Sequence, residues 1–172
     1  MAVEFGKLDS LITDELINLC LDKHRIIIYG HAKSGKIIIA RLLAERLKRK
    51  LIVTDEFMEY GFKQSMYVIK ELIEETKEPL IIEGVQTPRI LRKGVEQDDF
   101  YCDLIIHLEC NEESIEYAYI NDNEEHKLSK VHSFNKMLDN IFEEWYQLML
   151  EHSNDKMPII IKLNTSFICQ QK

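Results

Sequence analysis

Residues 25–49 read RIIIYGHAKSGKIIIARLLAERLKR. Ile26, Ile27, Ile28 and Tyr29 form a β-branched and aromatic run of the kind a buried parallel strand needs. Gly30 and Gly35 then bound a short loop that ends in Lys36. Beyond it, apolar residues recur at Ile38, Ile39, Leu42, Leu43 and Leu47, with Arg41, Glu45, Arg46 and Lys48 mostly opposite, which predicts a helix. Strand, glycine-bounded loop and helix in that order read as a phosphate cradle, Gly30-x-x-x-x-Gly35-Lys36, for a nucleoside triphosphate. Backbone amides and the positive helix N-terminus stabilise phosphate charge there, and Lys36 reaches the terminal phosphates. The alternative is a plain strand–turn–helix with a glycine turn, and the strand and helix context favours the cradle. All of Gly30, His31, Ala32, Lys33, Ser34, Gly35, Lys36 and Ile37 are candidate nucleotide contacts.

One position departs from the pattern. The residue after the lysine should carry a hydroxyl that ligates Mg²⁺, and here it is Ile37. Nucleotide binding is therefore expected more firmly than metal-assisted catalysis.

Length and composition set the frame. At 172 residues the chain is expected to form one domain with a sizeable core. Its 45% hydrophobic and 30% charged content suits a soluble globular protein. A net charge of −8 argues against a nucleic-acid backbone or an anionic membrane as the main partner. Cys20, Cys102, Cys110 and Cys169 lack C-x-x-C spacing and read as reduced thiols of a cytoplasmic protein. The opening MAVEFGKLDS does not read as a signal peptide, and no apolar stretch is long enough to span a bilayer.

Five apolar runs recur along the chain: Arg25–Tyr29, Leu51–Thr54, Leu80–Glu83, Leu104–Leu108 and Ile159–Leu163. Helix-patterned segments mostly separate them, the layout of a doubly wound parallel sheet. Helices are expected at about 10–22, with Leu11, Ile12, Leu16, Ile17 and Leu19 inward, and at 59–76. A short one is expected over 88–93, with Pro88 in its first turn and Gly94 at its end. Residues 111–152 hold one or two more, in which Phe134, Met137, Leu138, Ile141, Phe142 and Trp145 recur at helical spacing as core.

In open α/β sheets, ligands bind outside the carboxyl ends of the strands. The second run ends in Thr54-Asp55-Glu56-Phe57 and the third in Glu83-Gly84-Val85-Gln86, so carboxylates gather where a phosphate would lie. Each alone also reads as a helix cap or solvated loop. Arg89, Arg92 and Lys93, at i, i+3 and i+4, would share one helix face suited to a phosphate or carboxylate on an acceptor.

On these motifs, residues 24–165 resemble the P-loop nucleoside and nucleotide kinase superfamily. Asp55-Glu56-Phe57 is similar to its Asp-Asp-Phe motif after strand two, and Ile82-Glu83-Gly84-Val85 to its Glu-Gly turn after strand three. The resemblance implies a three-layer, five-stranded parallel sheet in the order 2-3-1-4-5. It implies ATP with Mg²⁺, Lys36 on the β- and γ-phosphates, and Asp55 as the base toward an acceptor hydroxyl. It further implies Asp55 and Glu83 near the metal, and Glu56, Arg89 and Arg92 on the acceptor side. The acceptor is a small hydroxyl-bearing molecule, nucleosides among the candidates. A protein that binds nucleotide or a protein partner without turnover is the alternative. A switch GTPase or motor is disfavoured, since the chain has no Asp-x-x-Gly after a strand and no Asn-Lys-x-Asp motif.

A second departure concerns the lid-like region, about 111–132. Such lids usually supply arginines that clamp phosphates, yet all six arginines here lie at or before Arg92. The region instead carries Glu112, Glu113, Glu116, Asp122, Glu124 and Glu125, with Lys127 and Lys130 its only full positive charges. Such a lid would repel a triphosphate. His31 reads as filling a variable loop position, and His107 and Trp145 as core residues.

Overall fold

In a computed structural model, which describes residues 8–166, five parallel strands form one sheet in the order β2-β3-β1-β4-β5. The strands are β1 (Arg25–Gly30), β2 (Lys50–Val53), β3 (Leu80–Glu83), β4 (Leu104–Glu109) and β5 (Ile159–Asn164). Each lies within one residue of its expected run, and the expected strand order is the one found. The helices are α1 (Asp14–Leu21), α2 (Lys36–Leu47), α3 (Gly61–Glu75), α4 (Thr87–Gln97), α5 (Glu112–Asn121) and α6 (Leu128–His152). Cys169, expected as a reduced thiol, and the first seven residues, expected as the start of a non-signal N-terminus, lie outside the described residues. Among the described residues no helix is long and apolar enough to cross a membrane.

Alternation of side chains along the strands splits the core into two layers. Ile26, Ile28, Ile81, Leu104 and Ile106 face α1 and α2, where they meet Leu16, Cys20, Ile39 and Leu43. Ile27, Tyr29, Ile82 and Ile105 face α3, α4 and α6, where they meet Ile69, Ile73, Ile90, Leu138 and Trp145. Trp145 is thus packing, as its spacing predicts. The central strand β1 pairs with β3 (Arg25↔Leu80) and with β4 (Ile26↔Leu104), which sets all strand ends at one rim.

Three helix boundaries differ from expectation, each for a local reason. α1 begins at Asp14 because Thr13 caps it, its hydroxyl accepting from the Leu16 amide at 3.2 Å. The stretch before α3 winds as a 3₁₀ turn, Thr54–Tyr60, and α3 starts only at Gly61. α4 runs through Gly94 to Gln97 and ends at left-handed Asp98. Gly94 serves proximity, not termination: a Cβ there would sit 2.5 Å from the Phe100 carbonyl oxygen.

Candidate functional site

The loop after β1 is shaped by two left-handed residues, Lys33 at φ 59° and Gly35 at φ 90°, before α2 begins at Lys36. Gly35 adopts this backbone freely because it lacks a side chain, whereas Lys33 adopts it at a steric cost. Gly30 closes the strand end tightly, since a Cβ there would lie 2.7 Å from the Ser34 hydroxyl. That hydroxyl is buried and has no hydrogen-bond partner among the described residues. An orphan buried donor at the base of a phosphate-shaped loop is a feature that a bound anion would satisfy.

Lys36 is buried, and its Nζ donates to the His31 carbonyl at 2.7 Å. Burial depresses its pKa, opposed by the nearby carboxylates of Glu83 and Asp55. Glu83 ends β3 and is 2% exposed. Burial pushes its carboxyl up to about 7, with Lys36 opposing and Asp55 adding to the rise. Asp55, at the end of β2, is solvent-exposed and accepts from the Val85 amide at 2.8 Å. Thr54 beside it accepts from the Gln86 amide at 3.2 Å, so the β2 end is clipped to the turn after β3. Gly84 permits this clip: at φ 117°, a Cβ would stand 2.2 Å from the Thr54 hydroxyl oxygen and 2.6 Å from Asp55 Oδ1. The structure therefore brings Lys36, Asp55 and Glu83 into one electrostatic neighbourhood.

The acceptor-side candidates divide. Arg89, half-buried at the start of α4, lies over the Phe62 ring at 4.5 Å and reaches the Met137 sulfur at 3.9 Å. It has no carboxylate partner among the described residues. Arg92 instead ion-pairs with Glu144 of α6 at 2.5 Å and with Glu96 at 3.6 Å, and Lys93 pairs with Glu96 at 2.8 Å. The expected three-cation face is thus reduced, among the described residues, to the Arg89 guanidinium. Glu56 is exposed in the 3₁₀ turn. Ile37 is half-buried and offers no donor atom.

The loop's outer wall left little trace in the sequence. His31, expected to fill a variable position, shares Asp139 Oδ1 of α6 with the Tyr29 hydroxyl, at 2.7 and 2.5 Å. Burial raises the Asp139 pKa, but the hydrogen bonds from His31 and Tyr29 outweigh it and the net shift is downward. The Ala32 amide donates to buried Asn135 at 3.3 Å. Lys33 reaches Asp122 at 2.5 Å and Glu124 at 3.2 Å in the lid-like region. A buried Asn in the apolar stripe of α6 was the one available signal. His107 is half-buried, lies tilted against the Tyr29 ring with centroids 4.9 Å apart and lines a cleft between β4, β5 and α6, so it is a wall residue of that cleft rather than a core one. Burial lowers its pKa.

Mg²⁺ would find two carboxylates here, from Asp55 and Glu83, and no hydroxyl at position 37. Two carboxylates at one rim suit a hard cation that keeps much of its water and takes its other ligands from phosphates. Among the described residues no group of three or more His, Cys, Asp or Glu side chains gathers to hold a metal ion, so phosphate oxygens and water would have to complete the shell.

No family model and no curated protein matches the chain. Solved structures do. Shikimate kinase from Acinetobacter baumannii, in complex with shikimate, is 18% identical over 82% of this chain and 99% of that one, with a TM-score of 0.54. The YorR protein from Bacillus subtilis, in complex with phosphorylated GDP, is also 18% identical, over 82% and 85%, with a TM-score of 0.51. Likeness at this identity carries the fold, and it agrees with the strand order and the phosphate-shaped loop found here. The protein has a P-loop kinase-like fold, built from a sequence widely diverged from the solved ones.

Proposed function

We propose that the protein is an ATP-dependent kinase that transfers the γ-phosphoryl group to a small hydroxyl-bearing acceptor, a class that includes nucleosides. The observation that supports this best is the gathering of Lys36, Asp55 and Glu83 at the carboxyl ends of three adjacent strands, beside a loop shaped for phosphate. Phosphoryl transfer depends mainly on positioning and on neutralising charge, which is what such a constellation supplies. Lys36 leaves the His31 carbonyl and holds the β- and γ-phosphates. Asp55, anchored through one oxygen by the Val85 amide, has a second oxygen with which to accept the proton of the acceptor hydroxyl. Mg²⁺, when bound near Asp55 and Glu83, would draw charge from the phosphate oxygens. Arg89, a half-buried cation with no counter-ion among the described residues, would receive an anionic group on the acceptor.

Ile37 favours a second reading, a protein that binds nucleotide without transferring phosphate. Calorimetric titration with ATP, with and without Mg²⁺, separates the two, followed by an acceptor screen on wild type and Asp55→Asn. The kinase reading expects Mg²⁺ to tighten binding, and Asp55→Asn to keep the Mg²⁺-independent binding while turnover falls about 10²–10⁴-fold. Binding that ignores Mg²⁺, with no turnover of any acceptor, would leave the second reading. Absence of ATP binding under both conditions would sink both nucleotide readings.

A further inference from the structure

The acidic lid-like region has a specific partner. Lys33 lies inside the phosphate loop, two residues before Gly35, yet its ammonium points away to the turn after α5. There Asp122 and Glu124 receive it at 2.5 and 3.2 Å, and the Tyr119 ring lies beneath it with its centroid 5.1 Å from Nζ. Lys36, the loop's other lysine, is likewise turned onto an internal acceptor, the His31 carbonyl. Both ammonium groups of the loop are thus satisfied from within the protein.

We propose that Asp122 and Glu124 act as an internal counter-anion which competes with bound phosphate for Lys33 and so sets the affinity of the site. The inference rests on the phosphate site proposed above. One ammonium cannot pair fully with two carboxylates of the turn and with a polyphosphate in the loop. Any phosphate that recruits Lys33 must therefore loosen the lid-like turn, and any substitution that frees Lys33 must strengthen phosphate binding. The charge pattern of this turn then makes sense. In a lid that reaches inward, arginines would meet the phosphates directly. Here the cation belongs to the loop and the anions to the lid-like turn, so docking of the turn and phosphate binding oppose each other. Linkage requires the effect to be reciprocal.

The test is a calorimetric titration of tripolyphosphate and of ATP into wild type, Asp122→Asn/Glu124→Gln and Lys33→Met, and into the triple variant. Asp122 is exposed and Glu124 partly so, which favours intact folding of the variants. Asp122→Asn alone serves as a milder form and should show part of the gain. Removing both carboxylates should tighten binding about fivefold, the scale of a small exposed ion-pair network. In the Lys33→Met background the same pair should change binding less than about twofold. Glu112→Gln/Glu113→Gln, which removes equal charge from the first turn of α5, should also change it less than about twofold. On adding ATP to wild type, amides of residues 121–127 should exchange hydrogen faster. Wild-type binding that the Asp122/Glu124 variant fails to strengthen would overturn the latch and leave the phosphate site standing. A gain that survives in Lys33→Met would overturn it too, pointing to a general field. If neither wild type nor any variant binds polyphosphate, the site and the latch fall together.

Discussion

The inner and outer walls of the phosphate loop are built by different means. The inner wall is made of close-range parts: Gly30 against Ser34, Gly35 at positive φ, buried Lys36, and Glu83 on the neighbouring strand. Its members, half-buried Gly35 excepted, are buried and leave little room for substitution. The outer wall is a row of polar side-chain contacts from distant segments. Asp139, Asn135, and the pair Asp122 and Glu124 meet His31, Ala32 and Lys33 across 89 to 108 positions of sequence. Asp122 and Asp139 are exposed and Glu124 partly so, while Asn135 is buried. One wall is a shape imposed by packing. The other is a set of ion pairs and hydrogen bonds that solvent can replace. Substitution should therefore cost much on the inner wall and little on the outer one.

The largest effect is expected from Lys36→Ala, which removes the ammonium that would hold the terminal phosphates. Charge-assisted bonds of this kind contribute about 2–3 kcal/mol, so ATP affinity should fall roughly 30- to 150-fold by calorimetry. Retained affinity would show that the inner wall does not bind the nucleotide. Gly84→Ala should come next, because the new Cβ collides with Thr54 and Asp55 at a backbone angle that L residues rarely adopt. A loss of about 2–3 kcal/mol in urea unfolding is expected.

Glu83→Gln probes the buried carboxyl through pH. The folded-state pKa of Glu83, about 7, lies above its ordinary value of 4.5. An acid raised by folding holds its proton longer in the native state, so its contribution favours folding at low pH and is lost as pH rises from about 4.5 to 7. Relative to Glu83→Gln, wild type should therefore lose stability across that window, by about 1–3 kcal/mol. Parallel stability curves for the two proteins would contradict this. The smallest effect belongs to the outer wall. Asp139→Asn weakens the contacts to His31 and Tyr29, and ATP affinity should shift no more than about fivefold, since exposed pairs contribute under about 1 kcal/mol. A loss as large as that of Lys36→Ala would erase the distinction between the walls.

The same contrast explains what could be read from the sequence. The inner wall is local: a strand, two glycines and a lysine within a dozen residues, with Asp55 and Glu83 legible as the acids that close two of the apolar runs. Strand positions came out within one residue because Ile- and Leu-rich runs carry a strong signal, fully buried in β1 and β3 and still legible in the partly exposed edge strands β2 and β5. The outer wall was hidden because nothing near His31 or Lys33 hints at partners in the turn after α5 and on α6. The acids of the lid-like region were visible as charges, but the pairing of Asp122 and Glu124 with Lys33 was not. Arg92 and Arg89 looked equivalent in spacing, and only the approach of Glu144 and Phe62 separates them. Gly94 shows the limit of local rules, since the reason for a glycine there is the backbone at Phe100.

The strand order has a consequence for how the chain comes to be folded. β1 is central, yet neither of its neighbours comes next after it in the chain: β3 begins at Leu80 and β4 at Leu104. During synthesis, Ile26-Ile27-Ile28 must wait without its full set of partners until residue 108 has emerged. At about 5–20 residues per second, the roughly 80 residues after Gly30 take on the order of 4–16 s. For that interval a strongly β-prone segment of the protein lacks a full set of correct partners. Its long-range parallel pairing also favours slow folding. The nascent chain is thus most open to aggregation at the very segment that later carries the phosphate loop.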